Sequence, residues 1–270
     1  MPPRKRSRTA AASTNSSTTA IVLGGGYAHP PRTVAKFRSG ALCDVELQAA
    51  DGTAFRAHAV CLTAGSEYME ALYSAKTEWK DADGPVKLEQ VPAAALSVCL
   101  DFVYCGEATV EADQLSAVLE AAAYLQIEPL RDAAAKELKR CLGPATAFST
   151  WALAESQGLA ELATAAKATA ARHFGVIAAS EAWLSAPADV VQALLASDKL
   201  TVRSEADVYT AALAWLRARA PPLGAEEAAA LLSHVRFPLL GQEFMRDTVN
   251  KEPLLCTIPG LQLLSEAFQA

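Results

Sequence analysis

Residues 44–58 read Asp-Val-Glu-Leu-Gln-Ala-Ala-Asp-Gly-Thr-Ala-Phe-Arg-Ala-His. Apolar and polar side chains alternate along residues 45–49, a period of two that predicts a β-strand with one buried face. Asp51-Gly52 supplies a tight turn, and the alternation resumes with Phe55 and Ala57. This stretch therefore predicts a β-hairpin within a mixed domain.

The residues after the hairpin predict helices and one further strand. Apolar positions fall near helical spacing over residues 60–72, and Val86-Lys87-Leu88 predicts the third strand. Beyond Pro92 the pattern is helical nearly to the end, with a clear stripe at Leu115, Val118, Leu119, Ala122 and Leu125. The predicted fold class is an α+β domain, a small sheet with helices, followed by an all-α domain; the chain is mostly helical overall.

The pair Gly143-Pro144 ends a predicted helix and is the domain boundary that we predict. It separates a first domain over residues 34–142 from a second over residues 143–250. The second domain repeats antiparallel helix pairs with short connections. Residues 251–270 are predicted to form a helical tail.

Residues 1–33 are rich in Ser, Thr and Ala and contain few large apolar side chains. Little burial is available there to offset the entropy of ordering the chain, which predicts a disordered arm. The arm begins with a basic cluster, Arg4, Lys5, Arg6 and Arg8. Such a cluster favours a nuclear-import signal, with a solvated charged tail as the alternative.

Charge and hydropathy exclude two classes of partner. The 270-residue chain has a net charge of −6, and because its first ten residues carry +4, the rest carries −10. An acidic body does not suit binding to nucleic-acid phosphates. No apolar run approaches the roughly 18 residues that a membrane span needs. The start also lacks a secretory apolar segment, so we expect a protein of the cytoplasm, the nucleus or both.

The residues do not indicate catalysis or a cofactor. Six cysteines without a C-x-x-C pair suit reduced thiols, and the close pair His58 and Cys61 lacks the second pair that a zinc site needs. A nucleotide-binding G-x-G-x-x-G frame starting at Gly24 would need glycine at position 29, where the chain has His29. We predict no catalytic residue, no cofactor and no metal.

Several blocks resemble a known pair of domains. The first domain is similar, in order and spacing, to the BTB (POZ) domain over about residues 35–142, and the second resembles the BACK domain of Kelch-like proteins. The blocks for the BTB domain are Leu42-Cys43-Asp44-Val45, Phe55-Arg56-Ala57-His58 and Tyr104-Cys105-Gly106, and those for the BACK domain include Leu159-Ala160-Glu161-Leu162, Asp198-Lys199-Leu200-Thr201 and Val235-Arg236-Phe237-Pro238.

The resemblance implies a non-catalytic interaction protein. BTB domains dimerise through their first helix, here about residues 33–39, with Val34 and Phe37 as the expected apolar contacts. BTB–BACK proteins commonly act as substrate adaptors of cullin-3 ubiquitin ligases and so direct protein ubiquitination. The expected partners are therefore the cullin-3 scaffold, a second BTB chain in a homodimer or heterodimer, and a client that the sequence does not identify.

In the family, a hydrophobic-x-Glu motif and a tyrosine contact the scaffold. The motif corresponds here to Lys76, Thr77 and Glu78, so the glutamate is kept and the hydrophobic anchor is replaced by lysine. The tyrosine corresponds to Tyr104. A lysine can lay its aliphatic stem in an apolar groove, but loss of a buried anchor costs about tenfold to a hundredfold in affinity.

A second implied feature is the charged pocket of co-repressor-binding BTB domains. Its aspartate corresponds to Asp44, and its basic residue, which follows His58, is Ala59 here. Because the cation is missing, a co-repressor role is disfavoured. The alternative to a pocket is that both residues are structural: Asp44 is an aspartate at the start of a strand, and His58 is a buried, hydrogen-bonded histidine.

Two functions remain in view. The first is a dimeric adaptor of a cullin-3 ligase, which the BACK half favours. The second is a nuclear scaffold or transcription co-regulator that does not recruit a ligase, which Lys76 and the basic arm favour. About 20 residues follow Asn250, and one propeller blade needs roughly 40 to 50 residues, so we expect no Kelch propeller in this chain.

Overall fold

A computed structural model describes residues 20–74, 84–219 and 224–267 of the chain. The described residues form two compact units that divide between Leu130 and Arg131. The first unit mixes strands and helices, and the second is helical. The predicted fold class is therefore confirmed.

The first unit contains two small sheets and the helices around them. Its strands are β1 Ala20–Ala28, β2 Val45–Gln48, β3 Ala54–Ala57, β4 Val86–Lys87 and β5 Gly106–Glu111. Its helices are α1 Pro31–Ser39, α2 Ala59–Gly65, α3 Glu67–Ser74, α4 Ala93–Cys105 and α5 Leu115–Tyr124, with a 3-10 turn at Ala112–Gln114. Helix α6, Glu128–Arg140, crosses the division between the units.

The predicted hairpin is confirmed. Strands β2 and β3 pair antiparallel with Val45 opposite Ala57, and β4 pairs parallel to β2 on its other side. Leu47 and Ala57 are fully buried, as the alternating pattern requires. Gly52 adopts φ +86° in the turn, a conformation that glycine tolerates better than other residues.

Strand β1 differs from the prediction of a disordered arm over residues 1–33. It pairs antiparallel with β5, and its Leu23 is 1% exposed. Its glycines permit a close approach: a Cβ atom on Gly26 would lie 2.7 Å from Cε1 of Phe102, and one on Gly106 would lie 2.7 Å from the carbonyl oxygen of Gly26. Gly26 and Gly106 therefore let β1 lie against α4 and β5, whereas a Cβ atom on Gly24 or Gly25 would meet nothing within 4 Å.

Helices α4 and α5 supply much of the core of this unit. The predicted apolar stripe of α5 is confirmed, because Leu115, Val118 and Leu119 are fully buried. Full burial of a leucine or valine side chain stabilises the folded state by about 1.5–3 kcal/mol. The buried side chains of these two helices therefore stabilise the part of the first unit that carries the candidate site.

The second unit consists of short helices, and its first two helices, over residues 147–172, pack against each other as one predicted pair. Its helices are α7 Ala147–Ser156, α8 Ala160–Arg172, α9 Phe174–Ile177, α10 Glu181–Leu184, α11 Ala188–Leu195, α12 Glu205–Ala218, α13 Ala225–Leu232, α14 Gln242–Asp247 and α15 Ile258–Ala267, with 3-10 turns at Phe237–Leu239 and Val249–Lys251. Trp183 and Trp215 are fully buried, and their indole N–H groups donate to the carbonyls of Ala211 (2.9 Å) and Ala186 (3.0 Å). These reciprocal bonds tie α12 to the segment around α10.

Within the described ranges, no helix is both long enough and apolar enough to span a membrane. The same ranges hold no group of three or more histidine, cysteine, aspartate or glutamate side chains placed to bind a metal ion.

Candidate functional site

Three predicted site residues meet in the first unit and form what we call the Tyr104 cluster, namely Phe37, His58 and Tyr104. Tyr104 lies in the last turn of α4 and is 0% exposed. The ring of Phe37, from α1, stacks on it with centroids 4.0 Å apart and planes inclined by 6°. His58, which precedes α2, approaches from another side at 5.9 Å between ring centroids.

Hydrogen bonds set the orientation of the rings in the Tyr104 cluster. The backbone N–H of His58 donates to Oη of Tyr104 at 2.8 Å. Nε2 of the same histidine lies 3.0 Å from the carbonyl oxygen of Ala41, which can only accept, so Nε2 carries a proton. In the neutral ring Nδ1 is then an acceptor, and the Tyr104 hydroxyl donates to it across 2.9 Å. One phenol thus joins α4 to the start of α2.

Asp44 caps the same junction from the solvent side. Its Oδ1 accepts a hydrogen bond from the N–H of Ala59, the first residue of α2, at 2.8 Å. This N–H belongs to the first helical turn, which has no partner inside the helix. Ala59 is itself fully buried. The geometry therefore gives Asp44 and His58 structural roles at one helix start.

Burial favours the protonated form of one phenol and two thiols in this region. Burial raises the pKa of the Tyr104 phenol well above its usual value. Burial is also the largest cause of the raised pKa of the thiols of Cys43 and Cys61, which lie beside the cluster. A phenol and two thiols that keep their protons suit a packing and positioning role better than nucleophilic chemistry.

Helix α1 and its flank present an apolar surface to solvent. None of the nine residues of α1, all of them described, is fully buried, and Val34 is half-buried. Leu42 is 73% exposed with φ +61°, a conformation that costs a non-glycine residue about 1 kcal/mol. Val60 on α2 is 70% exposed. We define Val34, Leu42 and Val60 as the α1 surface.

The resemblance placed Tyr104 on a partner surface, but its side chain is fully buried. The physical reason is that Phe37 covers one face of the ring while the hydroxyl is engaged by His58. The phenol is out of reach of a partner while α1 stays in this position. Phe37, which is expected at the dimer contact, also packs one face of its ring against Tyr104 of its own chain.

Other predicted site residues lie outside the described ranges. Lys76, Thr77 and Glu78 fall within residues 75–83, and the basic cluster Arg4, Lys5, Arg6 and Arg8 falls within residues 1–19. Their assignments stay predictions.

Sequence reasoning missed several residues that shape this site. The carbonyl of Ala41 and the exposed Leu42 gave no signal, because neither belongs to a periodic pattern. Ser66, by contrast, predicts with Gly65 a break between two short helices, and it lies between α2 and α3. It is buried, donates through Oγ to the carbonyl of Leu125 and accepts from the N–H of Met69 at 3.2 Å.

Comparisons with known proteins agree with this architecture. The BTB/POZ domain family model matches residues 34–142, and the BACK model, described as BTB And C-terminal Kelch, matches residues 147–250. The chain is a BTB–BACK protein.

The curated relatives of this BTB–BACK chain include Kelch-like proteins. Kelch-like protein 21 of Rattus norvegicus and that of Homo sapiens are each 35% identical over 230 residues, which cover 84% of this chain and 38% of the relative. Kelch-like protein 34 of Homo sapiens is 33% identical over 134 residues, 50% of this chain and 20% of that protein. The chain thus spans 38% of the length of the first relatives that it matches.

Among solved structures, the BTB domain of zebrafish PATZ1 aligns with a TM-score of 0.36 and 22% identity, over 40% of this chain and 86% of that one.

Proposed function

We propose that this BTB–BACK protein is a dimeric interaction protein that brings a client to a cullin-3 ubiquitin ligase. The observation that carries the proposal is the order of the two domains, BTB over residues 34–142 and BACK over residues 147–250. Proteins with this order commonly act as cullin-3 adaptors. Within that role the chain binds other proteins and performs no chemistry of its own.

The α1 surface supports the dimer. An isolated small domain gains nothing from holding Leu42 in a strained conformation with its side chain in water. A two-fold contact would remove such apolar side chains from water in both copies at once. The dimer is therefore proposed to form over Val34, Leu42 and Val60, with Phe37 holding α1 in place through its stack on Tyr104.

The cullin-binding surface is proposed to include Lys76, Thr77 and Glu78, which follow α3 in the chain. Tyr104 contributes by positioning the start of α2 and not by direct contact, because it is buried. Lys76 replaces the hydrophobic anchor of the family, so we expect weaker binding than a hydrophobic residue would give.

A calorimetric titration with the N-terminal region of cullin-3 tests this function. The full chain is compared with Lys76→Met, and Lys87→Met, an exposed lysine on β4, is the matched control. We expect Lys76→Met to tighten binding by about tenfold to a hundredfold, because a buried anchor of this size is worth about 1.4–2.8 kcal/mol, and Lys87→Met to leave it unchanged. Absence of binding by all three proteins at tens of micromolar would remove the ligase function.

The alternative proposal is a nuclear scaffold or transcription co-regulator that uses the BTB dimer without a ligase. Lys76 and the basic cluster of residues 4–8 favour it. Residence in the cytoplasm, the nucleus or both is part of the same proposal. Deletion of residues 1–10 is expected to lower the nuclear fraction of the protein in cells, and an unchanged distribution would remove the import signal.

A further inference from the structure

The first unit contains a groove that the proposed function does not use. Its volume is about 570 Å³, and it lies among the end of β1, the junction of α2 with α3 and the start of α6. Phe102 forms part of its wall. Tyr27 on its rim is 74% exposed, and His29 meets the Tyr27 ring edge to face at 5.3 Å between centroids. The groove is thus lined in part by aromatic rings, one of them largely in water.

The charge of the groove has one sign. Glu67 and Glu70 from α3 and Glu128 from α6 line it, and among its described lining residues none is a lysine or an arginine. Carboxylates in the first turn of a helix also favour that helix end, so these glutamates have a local role as well. Aromatic faces next to carboxylates are, however, the combination that an arginine or lysine side chain recognises.

We propose that this groove binds the basic N-terminal arm of the same chain, through Arg4, Lys5, Arg6 and Arg8. Charge complementarity is the first reason, because the arm carries +4 and the remainder of the chain −10. Glu67 and Glu70 supply carboxylates on the groove that a guanidinium or ammonium group binds.

The connection between arm and groove has sufficient reach. Strand β1 begins at Ala20 and passes the groove at Tyr27, about 23 Å further along at 3.3 Å per residue. The twelve residues from Arg8 to Ala20 span up to about 40 Å when extended. The arm can therefore fold back along β1, and a tether of this length gives an effective concentration on the order of millimolar.

This inference goes beyond the proposed function, because cullin recruitment does not require it. Its consequence is that the basic cluster is sequestered on the BTB unit in part of the molecules. A binding partner for the cluster must then compete with the groove.

Fluorescence anisotropy with a labelled peptide of residues 1–10 tests the proposal. The peptide is titrated with the full chain and with a full-length variant whose four basic arm residues are changed to glutamine. We expect the variant to bind the peptide at least about fivefold more tightly than the wild type, because its own arm no longer competes from the tethered position. Salt at 0.3 M should weaken the binding. Equal binding to both proteins, or to neither, would overturn the proposal.

A second pair of changes, made in the variant with the neutral arm, tests the location. Glu67→Gln with Glu70→Gln is expected to weaken peptide binding by at least about fivefold, since two charge-assisted contacts are lost. Glu89→Gln with Glu107→Gln removes the same charge from exposed positions that do not line the groove. Equal weakening by the two pairs would show general attraction to an acidic surface, and the groove would not be the site.

Discussion

Removal of the Tyr104 hydroxyl should lower the free energy of unfolding of the first unit by about 2–4 kcal/mol. In Tyr104→Phe the ring still stacks on Phe37, but the N–H and Nδ1 of His58 lose their partner at 2.8 and 2.9 Å. Tyr104 is 0% exposed and His58 is 9% exposed, so water does not readily replace the hydroxyl. A buried polar group left without a partner costs about 1–3 kcal/mol, and for the two groups we expect a loss of about 2–4 kcal/mol.

Hydrogen exchange in increasing urea, read by mass spectrometry on peptides from the first unit, measures this loss. The peptide that covers residues 54–65 reports on the His58 amide directly. Tyr27→Phe is the matched control, because Tyr27 is 74% exposed and its change should cost less than about 0.5 kcal/mol. A Tyr104→Phe protein whose opening free energy matches that of Tyr27→Phe would refute the account of the Tyr104 cluster.

Three further outcomes follow from the structure. Val34→Asp should raise the dimer dissociation constant at least about tenfold in size-exclusion chromatography with light scattering, because it would place a charge in the apolar contact. Ala35→Asp, on the exposed side of α1, should leave the constant unchanged. A wild-type protein that is monomeric in the same measurement would contradict the dimer. The buried hydroxyl of Tyr209 has no hydrogen-bond partner in the described part of the chain. In urea titrations followed by tryptophan fluorescence, Tyr209→Phe should therefore leave the free energy of unfolding unchanged or raise it by up to about 1 kcal/mol. A clear decrease in the free energy of unfolding would show that the hydroxyl has a partner. Burial raises the pKa of Tyr209 to about 12, so the neutral phenol favours the folded state below pH 10 and this contribution is lost as pH rises towards 12. Between pH 10 and 12 the free energy of unfolding of the wild type should therefore fall more steeply than that of Tyr209→Phe. Parallel plots of the two free energies against pH would contradict the raised pKa.

Sequence periodicity predicted secondary structure correctly where the pattern lay within a single segment of the chain. The alternation around Leu47 and the stripe through Leu115 and Val118 were readable, because strand and helix periods place neighbouring side chains on one face. The order of sequence blocks also identified both domains correctly. Strand β1 was missed, since its partner β5 lies more than eighty residues away and the need for glycine at position 26 arises only from the close approach to Phe102.

The candidate site was predicted less completely than the fold. Phe37, His58 and Tyr104 were each singled out, but their assignment to separate surfaces did not anticipate that they pack together. The exposure of Leu42 and its positive φ depend on how the chain leaves α1, which a single sequence does not show.

The order of amino acids established the hairpin over residues 45–57, the helical character of the chain beyond Pro92, the order of the two domains, and that an acidic body follows a basic arm. Each of these properties depends on residues close together in the chain or on a simple sum of charges. The folded arrangement established that β1 joins β5, that Tyr104 is enclosed, and that three glutamates line one groove together with Tyr27 and Phe102. Those features arise from contacts between distant segments, whose free energy depends on distance and burial that periodicity alone does not encode.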